Sequence, residues 1–171
     1  NGVTNFTREV FASAVDDIIV VNLNSKNSSS LSLAIELTRN IDAVINAESN
    51  NTLVLDGQII DKDEPLMGPG GSHMKFSSVL KVFNTGGTLT NEDNKIIVDR
   101  ADEITIFLTA ATDYNVKKLN FDRSINPSLK CKNIIETAEK KTFEEIKRDH
   151  ISDHKRIFDR VELNLGSDSL Q

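Results

Sequence analysis

From about Phe6 to Tyr114, apolar and polar residues tend to alternate, the pattern of strands with one face in a core and the other in water. Leu31, Leu33, Ile35 and Leu37 alternate with Ser32, Ala34, Glu36 and Thr38 and predict one such strand. Ile18, Ile19, Val20 and Val21 form an unbroken β-branched run, which fits a central strand covered on both faces. Further strands are expected at Leu53 to Leu55, Met74 to Phe83, Ile96 to Val98 and Ile104 to Leu108. Between them, Asn50-Asn51, Gly86-Gly87 and Glu92-Asp93-Asn94 read as hairpin turns and favour a meander over βαβ crossovers. The expected fold class is mainly β, an antiparallel β-sandwich.

After Tyr114 the period lengthens. Asn126-Pro127 is a good helix start, a capping side chain followed by proline in the first turn, and Cys131, Ile134, Ile135 and Ala138 then fall at helical spacing. Thr142-Phe143-Glu144-Glu145 matches a capping box and opens a second helix expected to reach about Arg160. On it Phe143, Ile146, His150, His154, Ile157 and Val161 share one stripe, and the stripe must pack on the sandwich or on a following domain. Phe143, Ile146 and Phe158 should therefore bury against another element. Val161, Leu163 and Leu165 alternate before Gly166, so the chain is expected to leave the helix extended. This pattern divides the chain into a β-sandwich region at 1–115 and a helical linker at 116–171.

Composition narrows the function classes. A formal net charge of −6 and a pI near 5.1 exclude the concentrated basic face that a nucleic-acid partner would need. No run approaches the roughly 20 apolar residues of a membrane-spanning helix, so no membrane partner is expected. Cys131 is the single cysteine, which rules out an intramolecular disulfide. The opening Asn1-Gly2-Val3, without an initiating Met, reads as a piece of a longer protein, one that is secreted or periplasmic if it carries an upstream leader.

Candidate chemistry is sparse. His150 and His154 stand four apart on a helix, the spacing of a shared metal, but Ile151 occupies the place where a metalloprotease helix has Glu. Interface histidines are the better reading, with no metal and no cofactor. Gly68-Pro69-Gly70-Gly71-Ser72-His73 is flexible enough to approach a ligand, yet it leads into a strand and lacks the Gly-Lys-Ser/Thr of a phosphate loop. Gly70, Gly71 and His73 are its candidate cleft-facing residues. Asp61-Lys62-Asp63-Glu64 reads as a solvated acidic turn, lacking the glycine and downstream Glu of a calcium loop. No Gly-x-Ser-x-Gly elbow is present, and the spacing of the acidic residues singles out no catalytic carboxylate pair. With no Trp and Tyr114 alone among tyrosines, few rings are on hand to stack on sugars.

Two segments carry a family resemblance. The first is Thr7-Arg8-Glu9-Val10-Phe11-Ala12-Ser13 followed by Asp17-Ile18-Ile19-Val20-Val21-Asn22-Leu23. The second joins Leu108-Thr109-Ala110-Ala111-Thr112-Asp113-Tyr114 to His150-Ile151-Ser152-Asp153-His154 and to Phe158-Asp159-Arg160-Val161-Glu162-Leu163-Asn164-Leu165-Gly166. In order and content they resemble the N-terminal region of family 95 glycoside hydrolases, the inverting α-L-fucosidases and related α-L-galactosidases. The resemblance implies part of a β-supersandwich and two C-terminal linker helices toward an (α/α)6 catalytic barrel that holds the general acid and the water-positioning groups. It implies no catalytic residue on this chain. The expected partners are the chain's own downstream catalytic domain and, through it, a fucosylated oligosaccharide. Phe143, Ile146, His150, His154 and Phe158 are the candidate interdomain packing residues. A stand-alone carbohydrate-binding or adhesion module, or an α-L-galactosidase parent, is the alternative.

Overall fold

The computed structural model describes residues 5–27, 29–63, 70–163 and 166. Eleven strands and two helices follow in chain order among them: β1 (Phe6–Ser13), β2 (Ile18–Ser25), β3 (Leu31–Ile35), β4 (Ala43–Ser49), β5 (Thr52–Asp61), β6 (Gly71–Thr85), β7 (Thr88–Glu92), β8 (Lys95–Ala101), β9 (Glu103–Thr112), β10 (Tyr114–Asn115), β11 (Asn120–Phe121), α1 (Pro127–Ala138) and α2 (Phe143–Phe158). The fold is mainly antiparallel β with two C-terminal helices. A six-stranded sheet in the order β1-β2-β9-β6-β5-β4 faces a three-stranded sheet in the order β3-β8-β7.

The hairpin turns stand where the sequence places them. Gly86 and Gly87, both in the left-handed region at φ 68° and 64°, join β6 to β7. Asp93 and Asn94, at φ 49° and 59°, join β7 to β8, as type I′ turns demand at both central positions. A pure meander does not result. Strand β9 returns to lie between β2 and β6, so the N-terminal hairpin joins the sheet through a strand made much later.

Alternation along the central strands builds two cores. Leu53, Leu80, Val82 and Ile104 point toward the small sheet and meet Leu31, Ile35, Ile96 and Val98. On the opposite face, Ile18, Val20, Val54, Val79 and Phe107 meet Cys131, Ile135 and Ala138 of α1 and Ile146 of α2. The helix α1 therefore closes the second face of the large sheet and belongs to its core. Its start is built as the sequence predicts, with Asn126 Oδ1 accepting from the backbone N–H of Leu129 at 3.1 Å.

Two expectations do not hold. The Ile18–Val21 run is covered fully on the helix side only: Val20 is buried, whereas Ile19 is 43% exposed on the other face. The small sheet ends short of β1, and Phe6 and Val10 of that strand stand exposed on the same face for the same reason. Strand β3 also stops at Ile35, and Leu37 packs against the core from irregular chain. The alternating strands β4 and β7 and the short hairpin β10–β11 have no counterpart among the individually predicted strands. Of the expected extended exit, 161–163 are exposed and outside any strand, and Leu165 lies outside the described residues.

Candidate functional site

Two groups of predicted residues come to one end of the large sheet, the end that holds the β1–β2 turn and the start of β6. The first is the outer face of α2. Its capping box forms in full: Thr142 Oγ1 accepts from the Glu145 N–H at 3.3 Å, and Glu145 Oε2 accepts from the Thr142 N–H at 2.8 Å. That backbone donor holds the Glu145 carboxyl below its usual range. Ile146 is fully buried in the chain's own core, and Phe143 is half-buried, 6.0 Å between ring centroids from Phe11. His150 stacks on Phe11 at 4.8 Å.

Beyond that turn the helix leaves the body. Ile151 is 42% exposed, and Ile157 and Phe158 are 57% and 68% exposed, so Phe158 does not bury as the stripe predicts. His150, Asp153, His154, Ile157 and Phe158 line a groove of about 240 Å³ against Ala12 and Ala14. His154 stacks on Phe158 at 5.3 Å, and the two histidine rings lie 6.3 Å apart, tilted by 46°. No group of three or more metal-ligating side chains gathers among the described residues.

Ion pairs pin the near half of α2 and the turn before it. Lys147 Nζ meets Glu9 Oε1 of β1 at 2.5 Å, and Lys141 bridges Asp16 at 2.7 Å and Asp149 at 3.1 Å. Both lysines are held above their ordinary pKa by these carboxylates, and Asp149 is held below its own by Lys141. The β1–β2 turn, α1 and α2 are thus tied together at Lys141.

The second group surrounds the glycine-rich segment. Gly68 and Pro69, like Glu64 of the acidic turn, lie outside the described residues; Asp61, Lys62 and Asp63 are exposed. Gly71 opens β6, with Gly70 just before it. His73 is half-buried, with Nε2 3.2 Å from Asp61 Oδ2 but not aligned as a hydrogen bond. Its ring packs edge-on to Phe121 at 6.3 Å.

A buried charge that the sequence reading missed sets this corner. Asp113 is fully buried, accepts from the Lys75 N–H at 2.9 Å and pairs with Arg123. Arg123 Nη2 donates to the carbonyl oxygens of His73 at 2.8 Å and Ser72 at 3.3 Å, and its guanidinium lies over Phe121. The pair clamps the chain after β11 onto the start of β6. The available signal was Asp113 itself, an acid in line with Phe107, Thr109 and Ala111 on the buried face of β9. Nearby, the Ser124 hydroxyl, Lys118 and Asn115 converge on Asp122 and hold its carboxyl far below the usual range.

Among the described residues, neither corner assembles a nucleophile with a base, or two carboxylates flanking a cleft. The chain is similar to alpha-L-fucosidase 2 of Arabidopsis thaliana, 25% identical over 185 residues that cover 98% of this chain. It spans 22% of that protein's length. The family model described as the N-terminal domain of glycosyl hydrolase family 65 matches residues 1–117. With that match across most of its length, the chain belongs to the N-terminal domains of the family 65 glycosyl hydrolases.

Proposed function

We propose that this chain is the non-catalytic, structural N-terminal segment of an inverting α-L-fucosidase acting on fucosylated glycans. In this reading the sandwich at 1–115 and the helices at 116–171 seat a downstream catalytic domain. The carrying observation is the outer half of α2, where Ile157 and Phe158 stand in solvent beside a groove that ends on Ala12 and Ala14. An apolar stripe beyond the body of its own domain forfeits roughly 1.5–3 kcal/mol per large side chain unless something covers it. His150, His154 and Phe158 would meet that domain, while Phe143 and Ile146 hold the helix to the sandwich. Gly70, Gly71 and His73 face the same end and would lie along the junction.

The catalytic domain would protonate the glycosidic oxygen while an activated water attacks the opposite face of the sugar. The sandwich contributes rigidity and a seat. The test compares the isolated chain with the full-length protein on a fucosyl-lactose. Release of fucose by the full-length protein with inversion, and none by the isolated chain, is expected. Fucose release by the isolated chain, tight calorimetric binding of fucosylated sugars to it, or a full-length protein inactive on fucosides would each overturn the reading.

A further inference from the structure

The end of the large sheet opposite the α2 groove carries a chemical pattern of its own. Three Asn-x-Ser/Thr triplets occur in the chain, Asn5-Phe6-Thr7, Asn27-Ser28-Ser29 and Asn50-Asn51-Thr52. The strand registers bring all three toward that end. Asn5 precedes β1 and Asn27 follows β2, with Lys26 N–H donating to Asn5 O at 3.2 Å. Asn50 lies in the β4–β5 turn, next to Asn51, whose carbonyl accepts from the Val82 N–H at 2.9 Å. Five strand spacings separate β1 from β4, so the triplets occupy two corners about 24 Å apart.

Exposure and bonding leave these asparagines open to modification. Asn5, Asn27 and Asn50 are exposed, and their side-chain amides make no hydrogen bond among the described residues. Other amides hold structure: Asn22 bonds Glu103 and Thr105, Asn84 bonds Gly86, Asn115 bonds Asp122 and Asn126 caps α1. None of those four begins an acceptor triplet, and the near match Asn126-Pro127-Ser128 is blocked by its proline. Asn24, Asn40, Asn46 and Asn133 are exposed with free amides too but begin no triplet, so the motif selects the three and their exposure leaves them reachable.

We propose that Asn5, Asn27 and Asn50 are acceptor sites for N-linked glycans, and that this end of the sheet faces solvent in the assembled protein. The donor is an oligosaccharide linked through pyrophosphate to a lipid, met in the lumen of the secretory pathway. A bond forms between the asparagine Nδ2 and the anomeric carbon of the first N-acetylglucosamine. The bond from that carbon to the pyrophosphate oxygen breaks, the lipid pyrophosphate leaves with the electron pair, and the amide gives up one proton. Glycans at two corners leave the α2 end clear, so modification and docking do not compete. The proposal stands independently of the fucosidase reading, because it is read by mass alone.

The experiment expresses the chain behind a secretion leader in a eukaryotic host and treats the secreted, folded product with a peptide N-glycosidase, which leaves aspartate at each released site. Peptide mapping is expected to find aspartate at one or more of positions 5, 27 and 50. Single Asn5→Gln, Asn27→Gln and Asn50→Gln variants should each lose the band shift of an occupied site. If the enzyme leaves the mass unchanged and no aspartate appears at any of the three, the proposal falls. The mapping uses the unaltered chain, so it decides the matter even where a variant is poorly secreted.

Discussion

Replacing Ile146 by alanine tests whether α2 is a separately attached element. Ile146 is the buried residue of that helix, fully enclosed by the core that includes Ile135 and Ala138 of α1. Burying an isoleucine contributes about 1.5–3 kcal/mol. The Phe11 contacts with Phe143 and His150 add roughly 0.5–1.5 kcal/mol each at most. The part-buried ion pairs of Lys141 and Lys147 add less, being partly screened by water and salt. Truncating a buried Ile to Ala removes about 2–5 kcal/mol, most of what holds the helix down. The expected result is undocking of α2 with the sandwich intact. Amide hydrogen exchange in residues 147–158 should lose at least ~30-fold of its protection, the equivalent of about 2 kcal/mol. Amides of β6 and β9 should keep theirs, and Phe158→Ala should change neither, since Phe158 touches solvent. Unchanged protection in α2, or an equal loss in β6 and β9, would refute separate attachment.

Removing Arg123 (Arg123→Ala) strands the fully buried Asp113 carboxylate and should cost roughly 3 kcal/mol in urea unfolding; the double change with Asp113→Asn should recover part of it. Acid and base should each loosen α2. Glu145 and Asp149 sit below their ordinary values of 4.5 and 3.8, so their contribution is full above those values and fades as pH falls through the lower folded ones. Lys141 and Lys147 sit above 10.5, so theirs is full below that value and fades as pH rises through the higher folded ones. The protection of α2 amides, taken relative to the intrinsic exchange rate at each pH, should be flat between these limits, and its loss beyond them larger in low salt. At Gly57 an added methyl would collide with the Asp42 carbonyl oxygen and the Phe76 ring, so Gly57→Ala should lower the melting temperature through a clash between β5 and its neighbours.

Much of the architecture was legible because local rules and burial agreed. The Asn126 cap, the Thr142 box and the paired left-handed residues of the hairpin turns each satisfy backbone groups within a few residues, so short windows of sequence specify them. The seat of β9 was not legible in that way. Its partners are set by long-range fit, and alternation says which face is buried without saying which strand lies alongside. Likewise the α2 stripe predicts an apolar face without revealing where the supporting sheet ends, so Ile146 buries and Phe158 does not. Asp113 escaped notice because an acid in a strand is ordinarily solvated, and its partner Arg123 lies in a turn beyond β11.

The placement of β9 also dictates an order of events during synthesis. Asn22 of β2 reaches its bonding partner Thr105 across 83 residues, and Asp17 receives the Thr109 hydroxyl across 92. The hairpin β1–β2 is made well before its neighbour in the sheet, β9, and a two-stranded ribbon by itself is barely stable in water. At ordinary translation speeds the wait is roughly 4–16 s. Ile18 and Val20 spend that interval without the core they end in, and the open edge of β2 is a window for wrong pairing that closes when β9 emerges.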